Sequence, residues 1–220
     1  MTTPPLRAAA VLFDMDGVLV DSRAAIDRVR TRWAEKHGLD PKVVIALPHG
    51  QKTRDIIATL TPHLDVRAEV AWLDADELRD LEGITAIPGA ARLLGELRPD
   101  EWTVVTSSGR ELASRRLAAA GLPVPDSFVS GEAVSQGKPA PEGYLLGASL
   151  LGRQPAECVV IEDAPAGVAA GIAAGMRVVG LTTTYPRAQL DGCTVIVKDL
   201  SKLAAERDGS RLHLVLRARD

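Results

Sequence analysis

The chain has 220 residues, a formal net charge of −3, 46% hydrophobic and 25% charged residues, and 3% aromatics. That length can bury a substantial core, either as one large domain or as a core with an insertion, and the composition is that of an ordinary globular protein rather than a disordered one. A weakly negative, aromatic-poor chain lacks the basic surface and stacking platforms of a nucleic-acid binder, and no apolar run approaches the ~20 residues a membrane span requires. Met1 to Arg7 hold no basic segment leading into a long apolar stretch, and Cys158 and Cys193 stand outside any metal-ligand spacing. A cytoplasmic protein with reduced thiols, without zinc or disulfides, is the expectation.

The first element is an apolar run, Ala8 to Phe13, read as one buried parallel strand that ends abruptly in Asp14. A carboxylate there belongs at the strand's tip, because it cannot stay buried without a partner. If the extended geometry continues, Asp14 and Asp16 project to one side and Met15 to the other. Gly17 then allows a sharp turn. Two carboxylates that close need a cation or a shared proton, and all-oxygen ligation suits Mg2+. Alone, Asp-x-Asp-Gly also reads as an acidic turn.

A helical block follows. Ser22 is a candidate N-cap for a helix with Ile26, Val29 and Trp33 on one stripe and Gly38 as its stop, and Asp40-Pro41 caps a short helix with Val43, Val44 and Leu47. A further helix starts near Gln51, buries Ile56, Ile57 and Leu60, and stops at Thr61-Pro62. Another runs from about Val66 through Val70, Leu73 and Leu81 to Gly83. Residues 22–84 show no strand signal.

From Gly89 the pattern changes to alternating helices and short apolar runs. Helices are expected at Ala90 to Leu97, Glu111 to Ala120, Pro141 to Leu151 and Pro165 to Ala174. Strands are expected at Thr103 to Thr106, Phe128-Val129, Cys158 to Ile161 and Val178 to Leu181, with further candidates at Val195 to Val197 and Leu212 to Leu216, the last as an edge or hairpin. Such alternation predicts a parallel α/β sheet with the helical block as an insertion. Ligands of these sheets bind outside the carboxyl ends of the strands, where Asp14, Thr106 and Asp163 fall. The insertion leaves just after Asp16, so it should overhang that edge as a lid.

Three more stretches carry chemistry-bearing residues, two of them at strand tips. Thr106-Ser107-Ser108-Gly109 offers hydroxyls and free N–H groups ahead of a helix, suited to phosphate oxygens or simply to capping. Gly137-Lys138-Pro139-Ala140-Pro141 holds a lysine among backbone-restricting prolines. Glu162-Asp163-Ala164-Pro165 places two acids at the end of another buried strand, where Asp163 could cap a helix or complete a metal site.

These four stretches, in this order, resemble the four motifs of the haloacid dehalogenase superfamily in its phosphatase branch. The resemblance implies an α/β fold: a Rossmann-like parallel-sheet core of residues 1–20 and 86–220, with an α-helical cap over 21–85. It implies Asp14 as nucleophile and Asp16 as acid/base, Thr106, Ser107 and Lys138 as phosphate-binding, and Mg2+ held by Asp14, the Asp16 carbonyl, Asp163 and, in the inner or second shell, Glu162. Within the insertion, Pro48-His49-Gly50-Gln51-Lys52-Thr53-Arg54 resembles the cap of polyol- and sugar-phosphate phosphatases, so His49, Gly50, Thr53 and Arg54 are the candidate substrate contacts. The expected partner is a small phosphorylated metabolite, with neither nucleic acid nor membrane involved. The competing reading is a β-phosphoglucomutase-like transferase. Ile26 stands where that mutase carries a His, which weakens it.

Overall fold

The structure, a computed structural model, describes residues 5–47, 53–209 and 211–216. In chain order its elements are β1 (Leu6–Ala8), β2 (Ala10–Phe13), β3 (Val20–Asp21), then helices α1 (Arg23–Lys36), α2 (Pro41–Ile45), α3 (Thr53–Leu60) and α4 (Val66–Arg79). There follow β4 (Thr85–Ala86), α5 (Ala90–Glu96), β5 (Trp102–Val104), α6 (Arg110–Ala119), α7 (Glu142–Leu150), β6 (Cys158–Glu162) and α8 (Pro165–Ala173). The chain finishes with β7 (Arg177–Leu181), β8 (Val195–Val197), β9 (Leu203–Asp208) and β10 (Arg211–Leu216).

The central sheet runs β5-β2-β6-β7-β8 with every pairing parallel. Both of its faces are covered. Val11 and Phe13 of β2 join one apolar cluster with Leu93, Leu94 and Leu117 of α5 and α6, while Ala10 and Leu12 join another with Tyr144, Ala148 and Val168 of α7 and α8. That two-sided burial is why β2 and β6 read as unbroken apolar runs rather than alternating ones. Consecutive strands leave β2 to opposite sides, with β5 on one flank and β6 on the other, so the crevice at the tip of β2 is the sheet's switch point.

Several expectations are corrected. The run Ala8 to Phe13 is not one strand: the chain bends at Ala9, and β1 belongs to a separate antiparallel sheet ordered β1-β10-β9. The Leu212 to Leu216 candidate is the middle strand of that sheet and not an edge, and it forms the hairpin that was the other expectation, antiparallel to β9. Phe128-Val129 forms only an isolated bridge between Val129 and Val105. Helix α4 ends at Arg79, and Leu81 packs against the main core cluster instead of extending the helical stripe to Gly83.

Helices α1–α4 gather their own apolar cluster of Val29, Trp33, Ala34, Val44, Ile57 and Leu73. Across its polar edge, Arg28 and Arg32 of α1 grip Asp76 and Asp80 near the end of α4. The chain passes between this cluster and the sheet along a two-stranded antiparallel ribbon, β3 against β4, in which Val20 pairs with Ala86. Among the described residues no helix is long and apolar enough to cross a membrane.

Candidate active site

A cavity of about 430 Å³ opens at the carboxyl edge of the sheet. Its floor takes Asp14 from the tip of β2, Thr106 to Gly109 from beyond β5, Asp163 from beyond β6, Thr182 to Thr184 from beyond β7, and Lys198 and Asp199 from beyond β8. Its opposite wall is Arg23, Ile26 and Arg30 of α1 with Asp74 and Glu77 of α4.

Lys138 lies at the centre of the charge arrangement. Its Nζ donates to Asp14 Oδ1 at 2.5 Å and to Glu162 Oε1 at 2.6 Å, and it sits 5.3 Å from the centroid of the Tyr144 ring. Burial alone would lower its pKa, but the charges of Asp14 and Glu162 outweigh that and hold it above the ordinary lysine range. The lysine is therefore a fixed cation. Asp14 shows the opposite balance: burial, aided by the neighbouring Glu162 and Asp16 charges, pushes its carboxyl up to about 7 in spite of Lys138.

Glu162 is saturated. Its Oε1 also accepts from Tyr144 Oη at 2.8 Å, and its Oε2 accepts from the backbone N–H groups of Asp163 at 2.9 Å and Ala164 at 3.1 Å. The carboxylate lies flat on helix α8 at Gly167, where a Cβ would stand 1.6 Å from Oε1. Gly167→Ala should gain about 1 kcal/mol of helix propensity and lose more, because it must displace a carboxylate with four donors, at a cost of about 3 kcal/mol. A net loss of about 2 kcal/mol in denaturant unfolding, together with reduced turnover, is the expected result.

Asp14, Glu162 and Asp163 offer oxygens within 4.8 Å of one another, all three buried. Asp163 Oδ1 is buried with no hydrogen-bond partner among the described residues. Burial and the charges of Glu162 and Asp14 raise the Asp163 carboxyl well above its ordinary value. An orphaned oxygen beside a second buried carboxylate is a donor set for a hard divalent cation, so the residues present fit Mg2+. Gly17 closes this pocket: it adopts φ +84°, and a Cβ there would stand 2.0 Å from Asp163 Oδ2.

Asp16 stands apart from that cluster. Its Oδ1 accepts from Ser22 Oγ at 2.5 Å and Arg116 Nη1 at 3.1 Å, and its Oδ2 from Ser108 Oγ at 3.2 Å. Ser22 therefore occupies the N-cap position of α1 without capping it; its hydroxyl is spent on Asp16. Thr106 Oγ1 accepts from the Ser108 N–H at 3.1 Å at the cavity floor, with Ser107 beside it.

The structure thus brings Asp14, Asp16, Thr106, Ser107, Lys138, Glu162 and Asp163 together at one sheet edge. It does not extend to the expected substrate contacts in the same way: His49, Gly50 and Lys52 lie outside the described residues, and Thr53 and Arg54 open α3, with Arg54 exposed. The wall residues Arg30, Asp74 and Glu77, and the supporting Arg116 and Tyr144, were given no role by sequence reasoning, and Ser108 entered only as one hydroxyl of the run after β5, not as a partner of Asp16. Asp74 and Glu77 stand three apart on α4 and so share a face, a signal masked by attention to the apolar stripe of that helix.

A doubly wound α/β sheet with an acidic, lysine-bridged pocket at its switch point and a helical insertion facing it is the architecture of a haloacid dehalogenase-like enzyme. The family model for haloacid dehalogenase-like hydrolases matches residues 8–175, and the chain belongs to that family. Hexitol phosphatase A of Escherichia coli is 41% identical over 92% of this chain and 96% of its own. Glycerol-1-phosphate phosphohydrolase 2 of Saccharomyces cerevisiae is 37% identical over 90% of this chain and 86% of its own. Among solved structures, a hydrolase from Pseudomonas syringae superposes with a TM-score of 0.77 at 24% identity, over 88% of this chain and 94% of that one.

Proposed function

We propose that the protein is a Mg2+-dependent phosphomonoester hydrolase that acts on small sugar or polyol phosphates through an aspartyl-phosphate on Asp14. The observation that carries this reading is the buried Lys138 bridge between Asp14 and Glu162, next to the unpartnered Asp163 Oδ1. It supplies a carboxylate nucleophile, a permanent cation and a cation-binding pair at one opening.

In this reading Asp14 and Asp163, with the Asp16 carbonyl, hold the metal, and Glu162 supports from behind because its oxygens already carry four donors. Bound there, Mg2+ supplies neutralisation of the phosphoryl oxygens. Lys138 and the Thr106 and Ser107 groups hold the same oxygens while Asp14 attacks phosphorus, and Asp16 gives its proton to the departing alkoxide. Asp16, then a carboxylate, takes a proton from the water that hydrolyses the acyl phosphate.

Residues 21–85 act as a cap whose inner wall receives the leaving group. Ile26, Arg30, Asp74 and Glu77 give that wall both apolar and hydrogen-bonding character, which suits a hydroxyl-rich alcohol. The relatives named for hydrolysis of hexitol and glycerol phosphates support the same substrate class. Ile26, at the cavity wall, offers no proton-transfer group, so the phosphosugar mutase is the less favoured reading.

The test is phosphate release from glycerol phosphates, hexitol, hexose and pentose phosphates and phosphoglycolate, with and without Mg2+. Metal-dependent release that favours a polyol or sugar phosphate supports the proposal. Conversion of β-glucose 1-phosphate to glucose 6-phosphate under a bisphosphate primer, without phosphate release, would establish the mutase instead.

A further inference from the structure

We propose that Arg116 is the positioning residue of the acid/base carboxylate, and that it links Asp16 to helix α4 of the insertion through Glu77. The inference rests on the role of Asp16 given above. Arg116 projects from α6 of the core, and its side chain is 3% exposed. A buried guanidinium needs counter-charges, since it stays protonated at any ordinary pH. Here it finds two, and they come from different parts of the fold. Nη1 lies 3.1 Å from Asp16 Oδ1, in the loop after β2, and Nη2 lies 3.4 Å from Glu77 Oε2, on α4.

The planar fork fixes orientation as well as charge. Nη1 also reaches Ser108 Oγ at 3.4 Å, and that hydroxyl holds the other oxygen of Asp16 at 3.2 Å. With Ser22 on Oδ1 at 2.5 Å, the plane of the Asp16 carboxylate is set by three side chains. Ser22 stands at the junction where the insertion begins, and Glu77 stands within it, so the acid/base group is aligned by both the entry and the inner wall of the helical block. Placement of α4 over the sheet and orientation of Asp16 become one event. Arg116 borders the cavity, but its polar partners are Asp16, Ser108 and Glu77 and not Asp14, so in this proposal it acts through Asp16.

Aligned general acid catalysis matters only when the leaving group needs a proton, and that separates positioning from a merely structural role. Single-turnover phosphoryl transfer is measured with an alkyl substrate, a hexitol phosphate, and with p-nitrophenyl phosphate, whose leaving group departs as a stable anion. Arg116→Met should slow transfer from the hexitol phosphate by about 10²-fold and change the nitrophenol burst less than about threefold. Arg116→Lys should show the same bias with a smaller loss, which keeps the test available if the methionine variant folds poorly. At saturating substrate, where a lost contact of Glu77 with the leaving group is read in the substrate Kd and not in the transfer rate, Glu77→Gln should show a weaker loss of the same kind, and Glu77→Gln with Arg116→Met should be no worse than Arg116→Met alone. Equal slowing of both substrates, wild-type rates, or additive losses in the double variant would overturn the proposal. Asp16→Asn is measured in parallel: a leaving-group bias there and none in the Arg116 variants sinks the positioning role alone, whereas no bias in either sinks the acid/base reading of Asp16.

Discussion

If Asp14 is the nucleophile proposed above, replacing it with asparagine should remove turnover of every phosphomonoester substrate, by about 10⁴-fold or more, while the protein remains folded. The size of the effect follows from the position of the residue. Asp14 sits at the tip of β2, its N–H bonded to the Ile161 carbonyl at 3.0 Å, so the backbone that carries the proposed nucleophile is pinned to the neighbouring strand. An amide of the same shape keeps that backbone and still accepts from Lys138, but it cannot form an acyl phosphate. The measurement is steady-state phosphate release beside thermal unfolding. Retained turnover would show that the bond to phosphorus is made elsewhere.

On the proposed mechanism, removal of the divalent cation should have the second large effect. Chelation should abolish phosphate release, and Mg2+ should restore it. The proposed metal should also bear on stability, because in its absence Lys138 bridges only Asp14 and Glu162 and leaves Asp163 Oδ1 buried without a partner among the described residues. Saturating Mg2+ at about 100 times its Kd adds roughly 2.7 kcal/mol, or about 5 °C or more in Tm. Asp163→Asn should lose both the activity and the Tm response.

The pH dependence has a defined sign. Asp14 is raised from 3.8 to about 7, and Asp163 is raised also, so the metal must displace protons and binds more tightly as pH rises through 7. In the metal-free protein these carboxyls keep protons in the folded state that the unfolded chain has released above pH ~4. Its stability therefore falls as pH climbs from about 4 through 7, and the Mg2+ stabilisation is larger at pH 8 than at pH 6. A Tm response to Mg2+ that is equal at both values would contradict this electrostatic account.

Much of the site was legible because its residues interrupt buried strands. Asp14, Thr106 and Glu162-Asp163 each end or closely follow an apolar run; any one of them also reads as a turn or a helix cap, and it is their recurrence in order at successive runs that marks a site. The strands of the central sheet were legible in the same runs, whereas their order, β5-β2-β6-β7-β8, emerges only in the fold. The antiparallel sheet was not legible: Ala8 to Phe13 is continuously apolar, and nothing in its composition marks the bend at Ala9 where the chain changes sheets. β9 escaped because its second half, Glu206-Arg207-Asp208, is charged and exposed. Arg116 was invisible for a different reason. An arginine on an amphipathic helix is ordinarily solvated, and only the fold reveals that this one points inward between two carboxylates. Ser22 illustrates the converse, since its sequence position marks a helix start while its hydroxyl serves Asp16.

The most direct test of the account is the stereochemical course at phosphorus, followed with a substrate made chiral by oxygen isotopes and turned over in isotopically distinct water. Attack by Asp14 and then by water gives two in-line displacements, so the account predicts net retention of configuration in the released phosphate. Net inversion would mean a single displacement by water, and would contradict an aspartyl-phosphate on Asp14.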